Sequence, residues 1–120
     1  MMKEKGDKMN FHDKVYELVK ALKETYEYKN YLTLKQELKN NSQLYEKLKR
    51  FKEKQQEHHL KYLNSETIDE KELQEMQDQY TELTQNELCR QLFEAEMRIN
   101  VLLGDMQKIV ATGIKELNEF

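Results

Sequence analysis

The residues of this sequence best suited to chemistry are three histidines and one cysteine: His12, His58, His59 and Cys89. His58 and His59 are adjacent, so on a helix they point about 100° apart and cannot both face one metal ion. No cysteine or acidic pair stands at ligand spacing on the same face, so we predict no metal site. Cys89 has no CxxC companion and no neighbouring histidine. We interpret it as a small, half-buried hydrophobic residue, with a nucleophilic or redox-active thiol as the alternative.

The sequence pattern offers no other kind of catalytic site. Acidic residues are abundant, but they follow helical faces that we expect to be solvated, without an apolar pocket to tune one carboxyl group against another. There is no glycine-rich phosphate loop, and a single cysteine can form neither an internal disulfide nor a four-cysteine cluster. We therefore predict no catalytic residue, no cofactor and no metal ligand, and we disfavour an enzyme.

The composition predicts an all-α protein with a thin core. The 120 residues contain no proline and three glycines, and 36% of them are charged, a balance typical of long amphipathic helices. With 38% apolar residues the chain can bury a bundle-type core rather than a thick globule. The sequence has no apolar run typical of a signal peptide or a membrane span, which favours a reducing, cytoplasmic setting.

One long C-terminal helix organises the chain, and we predict that it runs from an N-cap at Asn86 to the end of the sequence, about 50 Å. Apolar residues recur along it at alternating steps of four and three, so they share one seam. A second apolar row lies beside that seam and widens it into a face. The predicted core seam consists of Leu88, Leu92, Ala95, Ile99, Leu102, Met106 and Ile109, and the second row, our candidate interface, of Phe93, Leu103, Val110 and Ile114.

The second row predicts self-association, because the shorter helices cannot cover the long helix along its whole length. An exposed apolar stripe of that kind usually marks an interface. A two-fold dimer is the commonest closed arrangement, with the same stripe used by both chains. The alternatives are that the stripe packs on the first two helices, or that it binds a different protein.

We predict four shorter helices ahead of the long one, arranged with it as antiparallel hairpins in a single domain over residues 10–120. Residues 1–9 are polar and aperiodic, which indicates a disordered leader. Asn10 is a candidate N-cap for the first helix, and the Asn40–Ser42 cluster ends the second helix and caps the third. The predicted helices span about residues 10–25, 28–38, 44–62, 68–83 and 86–120.

Charge is distributed unevenly between the two halves of the chain. Residues 1–61 carry fifteen basic and ten acidic side chains, whereas residues 62–120 carry five and thirteen. This asymmetry indicates either charge complementarity between packed helices or a basic face for RNA or an acidic protein. We favour the first interpretation, because the acidic fourth helix can cover the basic third one. The candidate basic patch consists of Lys47, Lys49, Arg50, Lys52 and Lys54.

The order of these features resembles the YlbF/YmcA/YheA family of small helical bacterial regulatory proteins. The resemblance covers about residues 11–116 and lies in three stretches: VYELVKALKETYEYKNYLTLKQEL, LYEKLKRFKEKQ and LTQNELCRQLFEAEMRINVLLGDMQKIV. Length and cysteine count bring the chain nearer to the short YheA-like branch. The resemblance implies an all-helical, non-enzymatic protein.

The resemblance also implies a regulatory or adaptor function through helix-mediated protein contacts. The resemblance implies that the family members YlbF and YmcA work with a third protein, YaaT. The complex of these proteins directs the endoribonuclease RNase Y and so affects competence, sporulation and biofilm formation. Those relatives carry C-terminal cysteines linked to an iron–sulfur cluster, but Cys89 is alone in this sequence, so we do not carry the cluster over. We expect a cytoplasmic regulator that self-associates, contacts other protein subunits and binds no membrane. The alternative is an RNA-binding accessory factor that uses residues 47–54.

Overall fold

The computed structural model describes residues 2–120, with side chains described from Gly6 onward, and consists of five α-helices followed by one short 3₁₀ turn. Residues 2–120 contain no β-strand, so the predicted all-α architecture with five helices is confirmed. The helices are α1 (Met2–Lys23), α2 (Tyr26–Lys39), α3 (Ser42–Leu63), α4 (Glu70–Thr84) and α5 (Glu87–Gly113), and the 3₁₀ turn is Lys115–Leu117.

Short polar side chains cap the start of each helix from α2 to α5. Thr25, Asn41 and Asn86 each accept a hydrogen bond from the backbone N–H three residues ahead, at 3.1 to 3.2 Å between nitrogen and oxygen. Asp69 accepts from the N–H of Lys71 at 3.2 Å. Each cap satisfies an amide that the first helical turn leaves unpaired. The chain can therefore reverse direction in a few residues without proline or glycine at these turns.

The first helix differs from its prediction at the N-terminus. It begins at Met2 rather than at Asn10, so the part of the expected leader that the structure describes is helical. Met1 lies outside the described residues. The segment contains no proline, and its one glycine, Gly6, weakens a helix by only about 1 kcal/mol relative to alanine. Asn10 lies within the helix and does not act as a cap.

The ends of α4 and α5 also differ from the sequence prediction. The fourth helix begins at Glu70, because the chain first passes through a turn in which Ser65 has a left-handed φ of 57°. The long helix ends at Gly113 and does not continue to the C-terminus. Gly113 is a weak helix former, and Ile114 leaves the helical region with φ −122° and ψ 27°. At about 1.5 Å per residue, α5 is therefore about 40 Å long.

The core lies around the first half of α5. Within α5, the side chains of Cys89, Leu92, Phe93 and Ala95 are buried against residues of α2, α3 and α4. The largest helix contact is between α2 and α5, and the α3–α4 hairpin closes the other side. The core residues contributed by the other helices are Leu34 and Leu38 from α2, Leu48 and Phe51 from α3, and Leu83 from α4.

The molecule is elongated because the core occupies only one part of it. Its radius of gyration is 19.2 Å and its principal extents are 55 × 36 × 24 Å. A compact domain of this length has a radius of gyration of about 14 Å. Among the principal helix contacts, α1 packs only on α2, and the second half of α5 extends beyond α3 and α4. The two ends of the chain therefore form arms outside the core.

We predict that Leu92→Ala lowers the free energy of unfolding by roughly 2–5 kcal/mol, because it leaves a cavity in the core. Leu92 is only 2% exposed. Leu117→Ala is the matched control: Leu117 is exposed in the 3₁₀ turn, and we expect a change within about 0.5 kcal/mol. Urea denaturation followed by circular dichroism measures both. Equal shifts of the two midpoints would contradict this location of the core.

Candidate interaction surfaces

The predicted core seam of α5 is buried at its start and exposed at its end. Leu92 lies in the core, and Leu88, Ile99, Leu102 and Met106 are half-buried. Ile109 is 73% exposed, so its assignment to the core seam is wrong for the single chain. The heptad spacing continues through this residue, but no other helix covers that turn of α5.

The second apolar row is also divided. The sequence pattern predicts Phe93 in the candidate interface, but in the structure this residue lies in the core at 9% exposure. Its ring centroid lies 5.9 Å from that of Phe51 and 5.2 Å from that of Tyr80, because α3 and α4 pack on this side of α5. Leu103 is half-buried, whereas Val110 and Ile114 are exposed. Only the last part of the row is thus available to a partner.

An apolar groove of about 420 Å³ lies between α1 and the second half of α5. Val15, Leu18 and Leu22 line it from α1, and Leu102, Leu103 and Met106 line it from α5. Below, "arm face" means the groove together with the exposed apolar residues that continue it along the two helices. These continuing residues are Phe11 of α1, Ile109 and Val110 of α5, and Ile114 after α5, whereas Val19 of α1 lines the groove itself.

Two cations of the candidate basic patch form ion pairs with acidic residues of other helices. Lys47 Nζ lies 3.2 Å from Glu82 Oε1 of α4. Lys52 pairs with Glu96 of α5, and its ammonium group lies 5.0 Å from the ring centroid of Phe93. These pairs join α3 to the acidic helices that follow it, as the charge asymmetry predicted. The Lys47–Glu82 pair is exposed and therefore contributes little stability.

The other patch residues do not form a recognisable nucleic-acid interface. Lys54 pairs with Glu57 of its own helix at 3.6 Å. In the described part of the chain, Lys49 and Arg50 form no ion pair within 4.0 Å. Phe51, the aromatic residue within this run, is 4% exposed and cannot stack on a base. Binding of single strands usually combines positive charge with such stacking platforms.

The residues that could do chemistry lie apart from one another. His58 is buried, and its Nε2 lies 3.6 Å from Glu72 Oε2 with no hydrogen-bond partner among the described residues. His12 and His59 are exposed on separate helices. Cys89 is completely buried, deeper than the half-buried position expected, and burial raises the pKa of its thiol. Over residues 6–120, whose side chains the structure describes, no group of three or more histidine, cysteine or acidic residues is placed to hold a metal ion.

A polar cleft of about 280 Å³ lies where α2, α3 and α5 meet. Three lysines, Lys35, Lys49 and Lys52, line it together with Glu96 and Tyr31. Burial and then the charge of Glu96 raise the pKa of the Tyr31 phenol, so this group stays protonated at neutral pH. Glu96, the carboxylate of this cleft, is paired with Lys52. The cleft is a hydrogen-bonding and ion-pairing contact between helices.

We predict that Cys89 of the native protein reacts slowly with a thiol reagent such as Ellman's reagent at neutral pH. The thiol is buried and its pKa is raised, so both access and the thiolate fraction are low. The same protein in guanidinium chloride is the control and should release one equivalent of chromophore at once. Fast stoichiometric labelling of the native protein would contradict the burial of this residue.

We predict that the basic run of α3 gives no binding of short single-stranded RNA at physiological salt and micromolar protein. The reason is that three of its five cations already have partners in the chain. Fluorescence anisotropy with labelled RNA measures the binding. The contrary result is a salt-dependent isotherm that is lost when Lys49 and Arg50 are both replaced by alanine.

Comparison with known proteins places this helical arrangement among bacterial relatives. A UPF0342 protein of Alkalihalophilus pseudofirmus is 32% identical over 108 residues, which are 90% of this chain and 92% of the relative. A UPF0342 protein of Bacillus licheniformis is 30% identical over 109 residues, 91% of this chain and 93% of the relative. A solved structure, a protein of unknown function (DUF964) from Bacillus stearothermophilus, has the same fold, with a TM-score of 0.76 and 17% identity over 92% of this chain and 96% of its own.

The profile of one protein family spans nearly all five helices. It is described as "Control of competence regulator ComK, YlbF/YmcA" and matches residues 11–115. None of the helices described here is both long enough and apolar enough to cross a membrane. The predicted resemblance is confirmed: the chain belongs to the YlbF/YmcA family.

Proposed function

We propose that this protein is a non-enzymatic, cytoplasmic regulatory or adaptor protein that acts by binding other proteins through its helices. The family is described as one that controls the competence regulator ComK, which supports a regulatory role. The polar cleft between α2, α3 and α5 holds the Lys52–Glu96 ion pair and the protonated phenol of Tyr31. Regulation by contact therefore agrees better with the molecule than regulation by catalysis.

The observation that carries this proposal is the amount of large apolar surface outside the core. The arm face leaves Phe11, Ile109 and Val110 exposed, and the end of the α3–α4 hairpin exposes Tyr62 and Leu63. A monomeric soluble protein rarely exposes contiguous apolar patches of more than a few hundred Å² without a function for them. Apolar and aromatic residues also form the buried centres of protein interfaces. The surface is therefore suited to protein partners.

We propose in addition that its partners belong to the machinery of RNase Y. The support is the family membership, because the resemblance of this chain to YlbF and YmcA implies a link to that endoribonuclease. In this proposal the protein changes which RNA is cleaved without binding RNA itself. The ion-paired lysines of α3 support the second part, since they are occupied by acidic residues of α4 and α5.

We predict that RNase Y co-purifies with an affinity-tagged copy of this chain expressed in its native bacterium, as measured by quantitative mass spectrometry against an untagged strain. The physical reason is the exposed apolar surface, which should keep a stable partner through washing. Recovery of other proteins without RNase Y would contradict the RNase Y link and keep the adaptor function. Recovery of nothing above the untagged control, with and without mild cross-linking, would contradict the adaptor function.

A further inference from the structure

The arm face is a two-helix layer with one apolar side. The apolar residues of α1 run from Phe11 to Leu22, and those of the second half of α5 run from Leu102 to Ile114. At about 1.5 Å per residue, each strip is about 17 Å long. The two strips lie on the two sides of one groove. Two helices with a shared apolar side form half of a four-helix bundle.

The charged residues of these segments lie off the apolar strips. On α1, Lys14 pairs with Glu17 at 3.2 Å, and helical periodicity places both beside or behind the row that starts at Phe11. On α5, Asp105 and Lys108 are exposed and are likewise offset from the row that contains Met106. An uncharged strip has no like charge to repel its own copy. A partner that binds through charge would need charged residues on the strips themselves.

The exposed area has the size that a dimer needs. Seven large apolar residues of the arm face are each between 42% and 73% exposed: Phe11, Val15, Leu18, Val19, Ile109, Val110 and Ile114. Together they expose the equivalent of between three and four whole residues, on the order of 600 Å². One partner contributes about 800 Å² to a standard interface. A second copy supplies a face of equal length and equal area by symmetry.

From these observations we propose that a second copy of this chain covers the arm face. The two chains are related by a two-fold axis, and α1 and the second half of α5 from each chain form a four-helix unit. This inference names one partner for the apolar surface on which the proposed function rests. It leaves the end of the α3–α4 hairpin, with Tyr62 and Leu63, outside the dimer contact and free for a different protein.

The test is sedimentation equilibrium of the full chain at micromolar concentration, with two valine substitutions in α5. Val110 lies on the arm face, and Val101, nine residues earlier, lies two and a half turns away on the opposite side of the same helix. Both are exposed, at 51% and 62%. The wild type should sediment at twice the 14.6 kDa of one chain. Val110→Glu should weaken the dimer by at least about a hundredfold, because it buries an unpaired charge.

Val101→Glu is the matched control and should leave the dissociation constant within about threefold of the wild-type value, because surface substitutions away from contacts have small effects. Leu18→Glu tests the same face from α1. If circular dichroism shows that Val110→Glu has lost helicity, the dissociation constant of Leu18→Glu is the test of the dimer contact. A monomeric wild type overturns the dimer, as does a dimer that tolerates both Val110→Glu and Leu18→Glu. Neither result removes the co-purification of RNase Y, so the failure of this inference is distinguishable from that of the proposed function.

Discussion

The rest of the structure depends on the packing of the first half of α5 between α2 and the α3–α4 hairpin. Cys89, Leu92 and Ala95 are buried almost completely there, and no other helix contributes as many core residues. The ion pairs of α3 with Glu82 and Glu96 link α3 to α4 and to α5 beside this contact. Beyond it the chain has little interior of its own, which is why α1 and the second half of α5 form arms with an apolar side.

Much of this architecture follows from the sequence by simple physical rules. The absence of proline and the heptad spacing predict long helices. The polar clusters at Asn41 and Asn86 predict where two of them begin, because a short side chain that caps the first turn is favoured there. The uneven charge predicts that α3 lies against acidic neighbours, and the pair between Lys47 and Glu82 is one such contact. Local rules succeed for features that neighbouring residues decide.

The features that the sequence misplaces depend on distant parts of the chain. Leu92 and Ile109 lie on the same predicted seam, yet one lies in the core and the other in solvent, because the pattern does not say how far α3 and α4 reach along α5. Phe93 and Val110 likewise belong to one predicted apolar row, but α3 and α4 cover only Phe93. Periodicity gives the side of a helix that is apolar, and tertiary packing decides which turns of that side are covered.

The contact between α2 and α5 has a consequence for how the chain reaches this structure. The two helices are separated by all of α3 and α4, so their meeting closes a loop that contains the whole α3–α4 hairpin. The entropy lost in closing a loop rises only slowly with its length, but it is lost before the long-range contact forms. A hairpin that folds first shortens the effective loop and brings Leu38 and Leu92 within reach of each other. The turn from Asn64 to Asp69, remote from the centre of the core, is therefore coupled to the rate at which that core assembles.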